Sequence, residues 1–109
     1  MNVCALGSKY SIKGGKLYAD GAFVSAEQGA ASAPFVASRR GLGIDTIFAV
    51  TDGVLYWDNE GFDGGTARFC IDKDQRVQAV LKGDPPTECD PIMLRPVAGN
   101  SSVWRMTVS

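Results

Sequence analysis

Asp45-Thr46-Ile47-Phe48-Ala49-Val50-Thr51-Asp52-Gly53-Val54-Leu55-Tyr56-Trp57-Asp58 decides the fold. Two runs rich in β-branched and aromatic residues flank Asp52-Gly53, a pair that tolerates the positive φ angles of a type I′ turn. A two-residue loop fixes the register, so Thr51 faces Val54, Val50 faces Leu55, Ala49 faces Tyr56 and Phe48 faces Trp57. Alternation then puts Phe48, Val50, Leu55 and Trp57 on one face, expected to be core. Ile47, Ala49, Thr51, Val54 and Tyr56 fall on the other, more mixed face.

Similar punctuation recurs on both sides of this hairpin. Upstream, a strand near Ser8–Ile12 turns at Gly14-Gly15 into Lys16–Ala19, and Asp20-Gly21 turns that into Ala22–Ser25. Counting through both turns places Ile12, Leu17 and Val24 together, with Tyr18 and Phe23 opposite. Ala26 to Pro34 is small and flexible in composition and reads as a surface loop. Phe35–Ser38 resumes a strand, and Arg39 to Gly43 turns into the central hairpin. Downstream, Asp58 to Gly65 is an acidic, glycine-rich loop. Thr66–Asp72 and Arg76–Lys82 form a hairpin around Lys73-Asp74-Gln75, with Phe69, Ile71, Val77, Ala79 and Leu81 toward the core and Cys70 pointing outward. Prolines exclude a central strand from Asp84 to Pro91. Ile92–Val97 and Ser102–Val108 close the series, with Trp104, Met106 and Val108 on one face. About eight short strands with no covering helix predict one all-β domain over residues 1–109. A compact antiparallel β-barrel is preferred to a β-sandwich.

Composition narrows the function. The chain has 109 residues, 45% of them hydrophobic and 21% charged, as expected of a globular domain rather than a disordered tail. Eleven basic residues against twelve acidic ones leave a net charge of −1. That gives no basic face for nucleic acid and no polybasic patch for a membrane surface. The longest apolar run is too short to span a bilayer. Histidine is absent, which removes the commonest general base, the usual activator of a Ser or Cys nucleophile and the commonest metal ligand. Only carboxylate chemistry is left to an enzyme, and no catalytic residue is assigned.

Three cysteines occur, Cys4, Cys70 and Cys89, and no pair has C-x-x-C spacing. A Cys70–Cys89 bridge would tie the proline-rich loop to the sheet, contributing roughly 3 kcal/mol by closing a loop of about 20 residues. The alternative is three reduced, buried thiols in a cytosolic protein. Cys4 is then free, replaces one partner, or pairs between molecules. Met1 leads into a polar mixture with no apolar signal segment, so a secreted form would be a mature chain with an added initiating Met.

Several side chains are candidates for binding. Asp58, Asn59, Glu60 and Asp63 offer hard oxygen ligands, but without EF-hand spacing they read as a solvated loop, and no metal is expected. Asp45 with Asp58, Glu60 and Asp63 is the carboxylate set a glycoside hydrolase would need across a cleft. Tyr18, Phe23, Tyr56 and Phe62 sit on outer or rim faces where sugars stack, although aromatics more often fill cores. The ligand-facing rim is therefore Tyr56, Asp58, Asn59, Glu60 and Phe62. Asn100-Ser101-Ser102 matches a glycosylation acceptor, conditional on secretion.

Phe35-Val36-Ala37-Ser38-Arg39-Arg40-Gly41-Leu42-Gly43, followed by a strand ending in Thr51-Asp52-Gly53, resembles the internal segment of small secreted cell-wall proteins of ascomycete fungi, the phialide-development family. The Phe69–Val80 hairpin and Cys89-Asp90-Pro91-Ile92-Met93-Leu94-Arg95 are similar to that family's next hairpin and cysteine-led strand. Some secreted proteins of plant-pathogenic fungi that trigger a hypersensitive response are similar to this group. The resemblance spans about Phe35 to Val97; the N-terminal third departs from it. It implies a disulfide-bonded, β-rich, secreted protein of the apoplast or fungal wall, without catalytic residues or cofactor. It further implies a monomer that meets a plant cell-surface receptor or, alternatively, a wall polysaccharide.

Overall fold

The computed structural model describes residues 4–98 and 104–109, with side chains placed for 9–97 and 104–109. Met1, the Cys4 side chain and the acceptor triplet at Asn100 lie outside the described residues.

The chain is all-β. In order, the strands are β1 (Cys4–Lys13), β2 (Lys16–Ala19), β3 (Ala22–Val24), β4 (Ala26–Glu27), β5 (Ser32–Pro34), β6 (Ala37–Ser38) and β7 (Gly43–Ile44). They continue as β8 (Phe48–Thr51), β9 (Val54–Trp57), β10 (Arg68–Ile71), β11 (Val77–Val80), β12 (Asp90–Ile92), β13 (Leu94–Ala98) and β14 (Trp104–Val108). A six-stranded sheet has the order β13-β14-β1-β2-β3-β6, and a four-stranded sheet has the order β12-β10-β11-β5. Two ribbons, β4-β7 and β8-β9, complete the set.

The central hairpin has the expected register, Phe48↔Trp57 through Thr51↔Val54, with Asp52 at φ 51° and Gly53 at φ 76° in the turn. Trp57 stacks on Phe48 at 4.6 Å and takes the edge of Phe62 at 5.1 Å, so these three rings anchor the core. Phe48, Leu55 and Trp57 are buried as the alternation requires. Val50 is not: it is 43% exposed, whereas Val54 from the opposite face is buried. Beyond Phe48, whose N–H donates to the Gly15 carbonyl at 2.8 Å, β8 has no further ladder partner, so Val50 projects past the core. Val54 instead lines a groove together with Ile92 and Met93. Ile71 and Trp104, expected in the core, are half-buried against it. Leu17 and Val24 are buried, while Tyr18 and Phe23 pair edge-on at 6.2 Å on the outer face, as counted from the turns.

The segment 26–34, read as a loop, contains β4 and β5. Its residues are poor strand formers, so tertiary pairing decides. Phe35 N–H donates to Val77 O at 2.9 Å and Leu81 N–H to Ala31 O at 2.8 Å, placing Ser32–Pro34 beside β11. The number of strands exceeds the eight expected because long runs break into short pieces that change partner.

Register shows how the open edges are managed. Met93 and Ser109 exchange both backbone bonds, so Arg95 and Val97 bond to β14 and Pro96 turns its nitrogen outward. The same counting turns Pro34 of β5 outward, since Ala33 faces Ala79. Asp72 N–H donates to Arg76 O, which commits Cys70 to Gln78 and leaves Pro91, opposite Cys70, turned away from β10. Three of the four end strands of the two larger sheets thus present a residue with no N–H to the open side, which blocks strand addition there. Neither larger sheet closes on itself among the described residues. β9 passes within 8 Å of β13, Cα to Cα, with no ladder between them.

Candidate functional site

The 82–91 segment follows β11 and must return to β10. Its backbone has few partners of its own, and a disulfide supplies the tether: Cys70 and Cys89 are bonded, with Cα atoms 5.4 Å apart. Cys70 does point away from Phe69, but it is not exposed. It lies buried with Cys89 and Val80 in a small second cluster, because the loop it tethers folds over it. Beneath the loop is a largely apolar cavity of about 80 Å³ reached by Phe69, Val80, Pro85 and Pro91. Two polar contacts add to the tether: Asp63 Oδ2 accepts from Gly83 N–H at 2.7 Å, and the Arg68 guanidinium donates to the Gly83 carbonyl. The Lys73–Glu88 pair at 3.8 Å is solvent-exposed on both sides and adds little. Residues 82–88 remain exposed between these anchors.

The expected rim divides in two. Tyr56, Asp58 and Glu60 are exposed. Phe62 is not a rim residue: it is 5% exposed, edge-on to Trp57, and closes the core. Asn59 is occupied structurally, its Nδ2 donating to Thr46 O at 3.0 Å and its Oδ1 accepting from Gly61 N–H at 2.9 Å. Those two bonds bend the acidic loop back so that Phe62 can enter, which is why composition alone misplaced both residues. Asp45 is paired with Lys16 at 3.4 Å, and Asp63 is held by Gly83. Two of the four carboxylates weighed for hydrolysis, Asp45 and Asp63, therefore have separate structural partners. No group of three or more metal-ligating side chains occurs among the described residues. Asp72 organises the β10–β11 turn. Its carboxyl is held below the usual range chiefly by the backbone N–H of Arg76, with Gln78 and the Asp74 N–H contributing.

A cleft of about 430 Å³ lies at the end of the six-stranded sheet, where the Asp20-Gly21 turn faces β6 and the chain leading into it. Tyr10 and Phe35, 6.1 Å apart, are buried at its floor. Ala19, Ala22 and Ala37 keep its walls low, and Asp20, Ser38 and Arg39 carry its polar rim. Its volume is that of a small-ligand site. Sequence reading missed it, because Asp20-Gly21 was read only as the turn between two strands. The available signal was the run of small residues flanking Phe35.

One family model matches residues 1–100, taking in the cleft, the disulfide and the exposed loop. The chain belongs to the DUF7908 family. DUF7908 is described as a domain of unknown function. No curated protein and no solved structure matches the chain.

Proposed function

We propose that this chain is a secreted, non-enzymatic fungal protein that acts as an effector or elicitor of plant defence. The observation that carries this reading is the buried Cys70–Cys89 bond, since such bonds form and persist in oxidising compartments. Among the described residues no helix is long and apolar enough to cross a membrane, which is compatible with secretion. The absence of histidine and the structural engagement of Asp45 and Asp63 support the non-enzymatic part of this reading. The fungal and plant elements rest on the resemblance of Phe35–Gly43, Phe69–Val80 and Cys89–Arg95 to secreted wall proteins. In this reading the whole chain is one domain, an opened barrel rather than a sandwich, and the disulfide-mounted loop is the feature a plant receptor meets.

The second reading, attachment to a wall polysaccharide, is favoured by the cleft. Asp20 and Arg39 at its rim supply acceptors and donors for sugar hydroxyls above the Tyr10 and Phe35 floor. Leaf infiltration with oxidised protein and with reduced, alkylated protein tests the first reading. It expects a local hypersensitive lesion from the oxidised form only. Equal silence of both forms together with retention on insoluble glucan or chitin would replace the first reading by the second.

A further inference from the structure

We infer that the outer face of the six-stranded sheet is a binding surface for a linear acidic polysaccharide. The inference rests on neither the disulfide nor the Tyr10–Phe35 cleft, so it stands apart from both readings above.

The near-balanced net charge of −1 conceals a segregation that composition does not show. Residues 1–19 and 91–109 contain Lys9, Lys13, Lys16, Arg95 and Arg105 and not one acidic residue. Residues 20–90 hold the other six basic residues against all twelve acidic ones, a charge of −6. Topology brings the two basic ends together, because β13, β14, β1 and β2 are consecutive neighbours in the six-stranded sheet. Register then puts all five cations on one face. Tyr10, Leu17, Leu94 and Met106 are buried in the core. Lys9, Lys13, Lys16, Arg95 and Arg105 occupy the alternate positions and face outward.

Two like-charged pairs stand directly opposite one another on this face. Lys9 faces Arg105 across β1 and β14, and Lys13 faces Lys16 across β1 and β2. Like charges so placed are destabilising. Asp45 relieves Lys16, at 3.4 Å. Among the described residues no carboxylate pairs with Lys9, Lys13, Arg95 or Arg105, and Lys9, Lys13 and Arg105 are exposed. The fold thus keeps an unneutralised repulsion that an anionic ligand removes.

The cations run diagonally over the sheet, from Lys13 at the Gly14-Gly15 turn to Lys9, across to Arg105 and on to Arg95. Lys13 and Lys9 are four residues of strand apart, about 13 Å, and the whole line is roughly 20 Å long. A line of separated charges matches a linear polyanion rather than the plane of a membrane. Ser11 adds a hydroxyl between Lys9 and Lys13 on the same face. The aromatic rings of this face, Tyr18 and Phe23, meet edge-on at 6.2 Å, and Lys16 Nζ sits 5.2 Å over Phe23. They are engaged with one another and do not offer the stacking platform that unpaired bases need. Carboxylates spaced along a sugar chain would meet Lys13, Lys9 and Arg105 in succession, through charge-assisted bonds.

The test uses the full oxidised chain with polygalacturonate as the probe. A neutral galactan, single-stranded DNA and vesicles containing phosphatidylserine are run alongside. Polygalacturonate should bind and the neutral galactan should not, and the affinity should fall steeply between about 50 and 200 mM salt. Lys9→Glu should weaken binding by about tenfold. By setting an acid opposite Arg105, it should leave the melting temperature unchanged or raised. Arg105→Glu, which sets an acid opposite Lys9, should do the same. Lys82→Glu, outside this face, should leave binding unchanged. Equal binding of the neutral galactan, or undiminished binding by both Lys9→Glu and Arg105→Glu, overturns the inference. So does tighter binding to DNA or to vesicles, which would assign the face to nucleic acid or to a membrane. A melting temperature several degrees lower in both variants would show that the two charges serve the fold, and would likewise refute a ligand site.

Discussion

Removing the Cys70–Cys89 tether should destabilise the whole protein as well as its loop. Cys70→Ala with Cys89→Ala is the cleaner perturbation, because a Ser at Cys70 would leave a hydroxyl against Val80 in an apolar pocket. The two cysteines are 19 residues apart in sequence. Closing a loop of that length removes about 11 cal/mol/K from the unfolded chain, or ~3 kcal/mol at room temperature. Against a total of roughly 5–15 kcal/mol, that is a large fraction. Thermal unfolding followed by tryptophan fluorescence should move down by roughly 10–15 °C for a domain of this size. The urea m-value should rise, since the unlinked chain exposes more surface when unfolded. Limited proteolysis under native conditions should begin within residues 82–88, held in the parent chain by Cys89 and the Gly83 contacts. A loss below about 1 kcal/mol with an unchanged cleavage pattern would refute the view that the bond holds this loop.

Three further outcomes follow from individual residues. Leu55→Ala should cost about 2–5 kcal/mol by urea titration, because Leu55 is 1% exposed and its removal leaves a cavity beside Trp57. Asp72→Ala should lower the denaturation midpoint at neutral pH. Since the folded-state pKa of Asp72 lies below its ordinary 3.8, its contribution is present above that value and fades as pH falls through the folded pKa, so the gap between variant and parent should narrow in acid. Pro96→Thr should restore an N–H to the open side of β13, next to half-exposed Val97, and produce concentration-dependent association by size-exclusion chromatography.

The parts of the fold legible in the sequence are those set by local chemistry. Asp52-Gly53, Asp20-Gly21 and Gly14-Gly15 fix φ, hence loop length, hence register, so Phe48↔Trp57, Tyr18↔Phe23 and Ile12↔Leu17 could be counted from the turns. The disulfide was legible for a related reason: Cys70 sits on the face away from Phe69, and the loop prolines leave Cys89 beside an edge strand. What escaped depends on distant partners. β5 is a strand because Val77 and Leu81 offer it rungs. Phe62 is buried because Asn59 bends its loop through bonds to Thr46 and Gly61. Val50 and Val54 exchange environments because β8 runs out of neighbours, whereas Val54 lines a groove with Ile92 and Met93. The floor of the cleft joins Tyr10 to Phe35 across 25 residues of chain, a proximity no local pattern announces.

The pairing of Cys70 with Cys89 in protein taken from its natural compartment bears most directly on the account. A non-reducing digest of the chain from the extracellular fraction, mapped by mass spectrometry, should yield one crosslinked peptide pair joining the β10 segment to the Cys89 segment. Recovery of the chain from the cytosol with both thiols free, or a bridge from Cys4 to either cysteine, would contradict it.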